Sequence, residues 1–327
     1  MEVLSNEKIQ EKLKEFSNWN SDNSKISREF DFKDFKKALE LTNKIGEIAE
    51  EKQHHPDITL KYGYVKIGLT SHDKGGITEK DFSLAKEIEN IYQNMNKEKR
   101  IVKILMKEHV THNVIRFVLE KPAGYSFTPG QATDVSINLP GWKDQARPFT
   151  FTSLNEDKVL EFIIKIYPEH EGVTKKISEL SPGDELIIGD PWGTINYQDR
   201  GGGGVSGVFI AGGAGITPFI AILRDLYERR EVKENKLIFS NKTSKDVILE
   251  KEFKKIFEER PENLILTLTQ EDKQGYESKR INKEFLKEKI SDFNQNFYVC
   301  GTEDFAKEIS EYLKELGAKP DSVIFER

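Results

Sequence analysis

The 327-residue chain has a single cysteine, Cys300. That scarcity excludes an internal disulfide framework, a four-cysteine zinc site and a built-in cysteine-ligated iron–sulfur cluster. No apolar run reaches the roughly eighteen residues a spanning helix needs, so no membrane segment is expected. The opening Met1-Glu-Val-Leu-Ser-Asn-Glu has neither a basic stretch nor an apolar one, and export is not expected; a cytoplasmic location is. Positive charge is not in excess either. Lys and Arg number 50 against 56 Asp and Glu, a net charge of −6, which argues against a nucleic-acid footprint. Charge runs of both signs then read as solvated helix faces. The length leaves room for roughly two or three domains, each with its own core.

What is present divides into three patterns. Over 1–97, apolar residues recur first at helical spacing, with Ile9, Leu13 and Phe16 in a helix at 6–16. A turn at Trp19-Asn20 and a strand at 25–30 follow. Phe35, Ala38, Leu41, Ile45 and Ile48 mark a helix over 33–52, ended where Pro56 biases His55 away from helical geometry. Segments 58–60 and 64–69 alternate like paired strands. Thr78-x-x-Asp81 then opens a helix that buries Leu84, Ala85, Ile88, Ile91 and Tyr92. This is the pattern of an α+β domain with helices on one face of an antiparallel sheet.

Its chemistry lies in three histidines, His54, His55 and His72. Imidazoles give and take protons near neutral pH, so together they suit a general acid/base site. Three imidazoles can also hold zinc, but adjacent side chains converge less easily than an i, i+4 pair; no metal is expected. Asp81 serves either that site or only the capping box with Thr78. Glu50 either orients a histidine or is one more exposed carboxylate.

Trp19-Asn20, Glu50-x-x-x-His54-His55-Pro56 and Thr70-Ser71-His72-Asp73-Lys74-Gly75-Gly76-Ile77-Thr78-Glu79-Lys80-Asp81 resemble the pterin-4a-carbinolamine dehydratases, with the likeness running over about 6–92. The resemblance implies dehydration of a 4a-hydroxytetrahydropterin, such as the biopterin form, to a quinonoid dihydropterin. It implies proton transfers by His54 and His72, with His55 helping to hold the pterin beside Trp19, Glu50 and Asp81. Expelling hydroxide from a saturated carbon needs an acid on the oxygen and a base on a ring nitrogen proton. Homo-oligomerisation through this domain is also expected.

Residues 94–100 read as a short polar linker. Beyond it strands are predicted at 100–106, 111–120, 132–138, 150–153, 159–166 and 185–189, punctuated by Pro129-Gly130, Pro140-Gly141 and Pro182-Gly183. That spacing suggests a small antiparallel β-barrel over 100–200. Arg147-Pro-Phe149-Thr150 lies in it, and Glu171-Gly172-Val173-Thr174 leads into a helix as an anion-binding turn would.

Gly207-Val-Phe-Ile-Ala-Gly212-Gly213-Ala-Gly215-Ile-Thr217-Pro218 reads as a buried strand, a glycine turn and a helix capped by Thr217, an arrangement suited to a pyrophosphate. Gly201 to Gly204, just before it, reads as a flexible joint. Alternating strands and helices to the C-terminus make 205–327 a doubly wound α/β domain with ligand at the strand ends. Lys242, past the second strand, either meets the 2′-phosphate of NADP or faces water. Cys300-Gly301 closes a later strand.

The ordered set Arg-x-Phe-Thr, Gly-x-Thr, Gly189-x-Pro-x-Gly193 and the nucleotide strand resembles the ferredoxin–NADP reductase superfamily, most closely its flavodoxin/ferredoxin reductase-like and oxygenase-reductase members. The likeness covers 101–327 and implies FAD on the barrel and NADP or NAD on the α/β domain. Arg147 then meets the flavin pyrophosphate, Phe149 the ribityl and ring, Thr150 the flavin N5, and Gly172, Val173 and Thr174 the pyrophosphate. Gly212, Gly213, Gly215 and Thr217 hold the nicotinamide dinucleotide. Cys300 and Gly301 lie beside the nicotinamide C4, where Cys300 aids hydride geometry. Thr302 stands where the family usually has proline, which puts the rigidity of that turn in doubt. The tail Val323-Ile-Phe325-Glu326-Arg327 resembles the family's end, where an aromatic covers the flavin.

The whole reads as a multi-domain bifunctional enzyme: a pterin dehydratase joined to an FAD-dependent NAD(P)H oxidoreductase that passes electrons to an acceptor, with the quinonoid dihydropterin one candidate. Two alternatives stand. The reductase serves a separate ferredoxin, flavodoxin or oxygenase, or the first domain is a pterin-binding, dimerising or partner-binding module. Neither the natural pterin, the acceptor nor the choice between NADH and NADPH is legible.

Overall fold

Side-chain caps fix where the helices of the first unit begin. The computed structural model describes residues 2–16, 18–96, 99–193, 195, 197, 207–232 and 234–325. They fall into two units, Met1–Lys97 and Glu98–Arg327. In the first, Ser5 caps α1 (Asn6–Leu13) and Asp34 caps α2 (Phe35–Lys52) by accepting from the Lys8 and Lys37 N–H groups. Between them lie β1 (Asn20–Ser21) and β2 (Ile26–Asp31); β3 (Asp57–Lys61), β4 (Tyr64–Leu69) and α3 (Glu79–Asn96) follow. The strands pair antiparallel in the order β1-β2-β4-β3. Ile26, Phe30, Val65, Ile67 and Leu69 of the sheet meet Leu41 and Ile45 of α2 and Leu84 and Ile88 of α3 in one core. The expected linker is taken up at both ends, because α3 runs to Asn96 and the next strand begins at Arg100; residues 97 and 98 lie outside the described residues.

The second unit starts with β5 (Arg100–Thr111), β6 (Val114–Glu120), β7 (Ala132–Ile137), β8 (Arg147–Thr150), β9 (Val159–Lys165), α4 (Val173–Ser178) and β10 (Glu185–Ile188). The order is β8-β7-β10-β5-β6-β9, antiparallel throughout. Just beyond β8, the Thr152 N–H donates to the Glu161 carbonyl at 2.9 Å and joins the two ends of that order. Two expectations shift. The first strand continues to Thr111, so the hairpin turns at 112–113. The strand expected at 150–153 pairs earlier, with Arg147 opposite Val135 and Thr150 opposite Ala132. Pro148 is tolerated there because β8 is an edge strand of the order, where a missing N–H costs no ladder bond.

The chain then forms β11 (Gly207–Gly212), a 3₁₀ turn at Gly213–Ile216, α5 (Thr217–Glu228), β12 (Lys236–Asn241), α6 (Glu250–Ile256), β13 (Leu264–Leu268), α7 (Lys283–Lys289), β14 (Asn296–Cys300), α8 (Glu303–Glu315) and β15 (Val323–Phe325). These strands are parallel, in the order β13-β12-β11-β14-β15. Alternation along β11 shows the double winding. Phe209 and Ala211 enter a core with α5 and α6, and Val208 and Ile210 enter another with α7 and α8. The glycine run Gly201 to Gly204 and the end of the tail, Glu326-Arg327, lie outside the described residues.

Candidate functional site

In the first unit, a left-handed residue ends α2 and places the first histidine. Gln53 has φ 49°, its N–H bonds the Glu50 carbonyl, and the His54 N–H reaches back to the Ala49 carbonyl at 3.0 Å. This pair of bonds closes the helix as a Schellman cap. The helix therefore stops at Gln53, before the restriction from Pro56 acts. His54 is left mostly buried, with Nε2 2.8 Å from Asp81 Oδ1.

Asp81 has no exposed surface. Its Oδ2 accepts from the Thr78 N–H at 2.7 Å, from the Thr78 hydroxyl at 3.2 Å and from the Ser71 hydroxyl at 3.0 Å. The Thr78 hydroxyl in turn accepts from the Lys80 N–H. One Asp81 oxygen thus accepts from the Thr78 N–H at the start of α3 and the other meets His54. Its contacts leave it beneath His54 and not on an open surface. The Ser71–Gly76 bridge closes the turn that carries exposed His72, and Ser71 ties this turn to the same carboxylate. His55 is exposed, with Nε2 3.1 Å from Glu50 Oε1. Trp19, expected beside the pterin, is 3% exposed within the core, and its indole N–H donates to Glu89 at 2.6 Å. Glu89 also pairs with buried Arg28, which stacks on Phe30 and Tyr92. Among the described residues, no group of three or more His, Cys, Asp and Glu side chains has metal-holding geometry.

In the second unit a cleft of about 480 Å³ opens at the carboxyl ends of the parallel strands. Gly212, Gly213 and Gly215 form one wall, Ser240, Asn241 and Lys242 a second, and Gly301 and Thr302 a third. The glycines are required for different reasons. Gly213 has φ +55°, and a Cβ on Gly215 would lie 2.4 Å from the Cys300 carbonyl oxygen. A Cβ on Gly301 would lie 2.5 Å from the Phe305 ring. The expected cap by Thr217 is not formed: the 3₁₀ turn precedes α5, Thr217 is already helical, and its hydroxyl donates back to the Ala214 carbonyl at 3.1 Å. Thr302 instead caps α8, accepting from the Phe305 N–H, so the missing proline is replaced by a capped turn. Cys300 is half-buried at the end of β14 and is in no disulfide.

Asn113, Lys165 and Tyr167 reach the cleft from the barrel, and Asn241, Asp246 and Thr269 from the α/β domain; the sequence reading omitted all six. Only Asn241 left a local signal, an amide one position past Ser240 at a strand end. Asn241 is 5% exposed, and neither of its amide atoms has a protein partner. Buried polar groups are normally satisfied, so this amide fits a polar ligand in the cleft.

On the barrel, edge strand β8 presents exposed Arg147 and half-buried Phe149 and Thr150. Phe149 packs at the margin of the barrel core, 6.4 Å from Phe162 between ring centroids. At α4, Gly172 is the N-cap and has open space where a side chain would be, while Val173 is buried in the core and Thr174 is half-buried. Val173 therefore offers a ligand its backbone alone. A cation, an aromatic face, a hydroxyl and helix-start N–H groups suit a group that is anionic at one end and aromatic at the other.

Three family models match the chain: Pterin 4 alpha carbinolamine dehydratase over residues 2–91, Oxidoreductase FAD-binding domain over 101–197, and Oxidoreductase NAD-binding domain over 209–311. A Picosynechococcus sp. protein assigned to pterin-4-alpha-carbinolamine dehydratase is 46% identical over 82 residues, 25% of this chain and 89% of the relative. The flavohem-like FAD/NAD-binding domain of a Vibrio cholerae nitric oxide dioxygenase is 19% identical, with TM-score 0.62 over 69% of this chain and 97% of that one. A Neisseria gonorrhoeae ferredoxin NADP+ reductase, with bound FAD and NADP, is 21% identical, with TM-score 0.58 over 70% and 98%. These likenesses establish the fold of the second unit. No helix among the described residues is long and apolar enough to cross a membrane.

Proposed function

Because the chain belongs to the pterin-4a-carbinolamine dehydratase family through residues 2–91 and continues into FAD- and NAD-binding oxidoreductase domains, we propose that it is a bifunctional enzyme of pterin recycling. It dehydrates a 4a-hydroxytetrahydropterin and returns electrons from NAD(P)H, through FAD, to the quinonoid dihydropterin so formed. The observation that carries the first half is the single buried carboxylate, Asp81, shared by His54 and the turn bearing His72. A histidine held by a carboxylate keeps one tautomer and one orientation. In this reading His54 and His72 move protons, one acting on the leaving hydroxyl and the other on the ring N–H, and the water formed carries away the oxygen. His55, on the surface with Glu50, contributes to holding the pterin.

In the second half, Arg147, Phe149 and Thr150 with the start of α4 hold FAD, and the cleft at Gly212–Gly215, Lys242 and Gly301 holds the nicotinamide dinucleotide. Bound FAD supplies the capacity to accept two electrons from a reduced nicotinamide and to release them onward. Arg147 offsets phosphate charge, Phe149 excludes water from one ring face, and Gly215 lets the α5 turn approach Cys300 closely enough to shape the nicotinamide end. Lys242, exposed at the cleft, favours the extra phosphate of NADPH.

The direct test is anaerobic. The flavin is reduced with NADPH, a 4a-hydroxytetrahydropterin is added, and reoxidation is followed spectrally, with His72→Ala as control. Rapid reoxidation that slows in the variant supports recycling. A flavin that stays reduced while the pterin dehydrates overturns it and leaves an external protein acceptor as the reading.

A further inference from the structure

Two subdomains of one chain move relative to each other unless something ties them, and a displacement of about 1 Å at reacting atoms costs on the order of 10²-fold in rate. In the second unit such a tie is present and lies outside the cleft. Arg224, on α5, donates from Nη1 to the Thr152 carbonyl and to Glu161 Oε1, both at 2.6 Å, on the barrel side. On the α/β side it grips Glu252 of α6 with two bonds, Nε to Oε1 at 2.6 Å and Nη2 to Oε2 at 3.0 Å. Glu161 is further held by the Thr152 hydroxyl at 2.8 Å, and Arg116 Nε lies 3.8 Å from its other oxygen. Burial opposes the charge on Arg224, but the two carboxylates outweigh it and hold the guanidinium above its ordinary range.

The two ends of this clamp lead to the two ligand sites. Thr152 lies two residues beyond Thr150 on the strand segment that forms the flavin wall. Arg224 lies seven residues past Thr217, about 10 Å up the helix that follows directly on the glycine 3₁₀ turn lining the cleft. Only a planar guanidinium can bond these four oxygens from two subdomains in fixed directions; an ammonium lacks that fork. We propose that Arg224 is a positioning residue for electron transfer, fixing the separation between the flavin-bearing strand and the nicotinamide-bearing turn. The inference rests on the reductase reading above.

The test uses the full-length FAD-loaded protein as wild type, Arg224→Met and Arg224→Lys. Stopped-flow reduction by NADPH is read at saturation, NADP+ affinity by titration calorimetry, and unfolding by scanning calorimetry. In R224M, NADP+ affinity should stay within about twofold while the saturated reduction rate falls at least about tenfold, and the number of unfolding transitions should rise by one; R224K should recover only part of the rate. An unchanged saturated rate in R224M overturns the proposal, and so does a slowed rate with no added transition. If R224M does not retain FAD, Glu161→Gln, which weakens the barrel side of the clamp, should slow reduction severalfold; an unchanged rate there overturns the proposal equally. A wild-type flavin that neither NADPH nor NADH reduces would instead defeat the reductase reading itself.

Discussion

Asp81 lies 2.8 Å from His54 through one carboxylate oxygen and 2.7 Å from the Thr78 backbone nitrogen through the other. A group used twice in this way cannot change without disturbing both partners. Asp81→Asn keeps the volume but must turn an amide N–H toward either His54 or the Thr78 N–H. The expected loss is about 10²-fold in dehydration rate, with about 1–3 kcal/mol of stability. Pterin dehydration kinetics and urea unfolding check the two effects separately. Full activity in Asp81→Asn would remove Asp81 from the mechanism.

His54 and His55 are neighbours in sequence and opposites in setting. His54→Ala should lower the maximal dehydration rate by at least about 10²-fold, as loss of a positioned acid or base does. His55→Ala and Glu50→Gln, at the surface, should mainly raise KM. Steady-state kinetics of the three variants decide this, and equal losses of maximal rate at His54 and His55 would defeat the division of roles.

Gly213 and Gly215 should fail for different reasons. Gly213→Ala has open space and a left-handed backbone, so it should cost about 1–2 kcal/mol and weaken coenzyme binding modestly. Gly215→Ala must push Cβ into the Cys300 carbonyl and should abolish NADP+ binding. Calorimetric titration with NADP+ reads both; normal binding by Gly215→Ala would mean that the α5 turn is not where the dinucleotide sits.

Burial raises the Tyr125 phenol to about 12, where its hydroxyl donates to the Gly189 carbonyl at 2.7 Å. The folded value exceeds the ordinary value of 10, so folding favours the protonated phenol. Its contribution to stability is complete below about pH 10 and is lost as pH rises through about 12. An alkaline absorbance titration of wild type and Tyr125→Phe should differ by one late-ionising tyrosine. The variant should also lose about 1 kcal/mol at neutral pH, measured by urea unfolding.

Glu89 joins the Trp19 indole N–H and the Arg28 guanidinium in the first unit. Glu89→Ala leaves a buried cation and a buried N–H unpaired, and a loss of about 3–5 kcal/mol is expected. Denaturant unfolding monitored by Trp19 fluorescence measures it, and a loss below about 1 kcal/mol would show that Arg28 finds solvent instead.

The sequence by itself determined which kinds of element form, because those follow from local rules. Helical spacing at Leu41 and Ile45, the Thr78-x-x-Asp81 capping box, and a doubly buried strand running into glycines at Gly212 are written within a few residues of one another. The hairpin at 112–113 and the edge pairing of Arg147 with Val135 were less legible, since register depends on a partner strand. Tertiary structure alone decided that Trp19 serves the core, that one oxygen of Asp81 reaches back 27 residues to His54, and that Arg224 spans 72 residues to Thr152. Such contacts depend on how layers pack and on which buried polar group needs a partner, and no local pattern carries that information. Asn241 shows the division: its place at a strand end is legible in sequence, but only packing leaves its amide buried at the cleft without a protein partner.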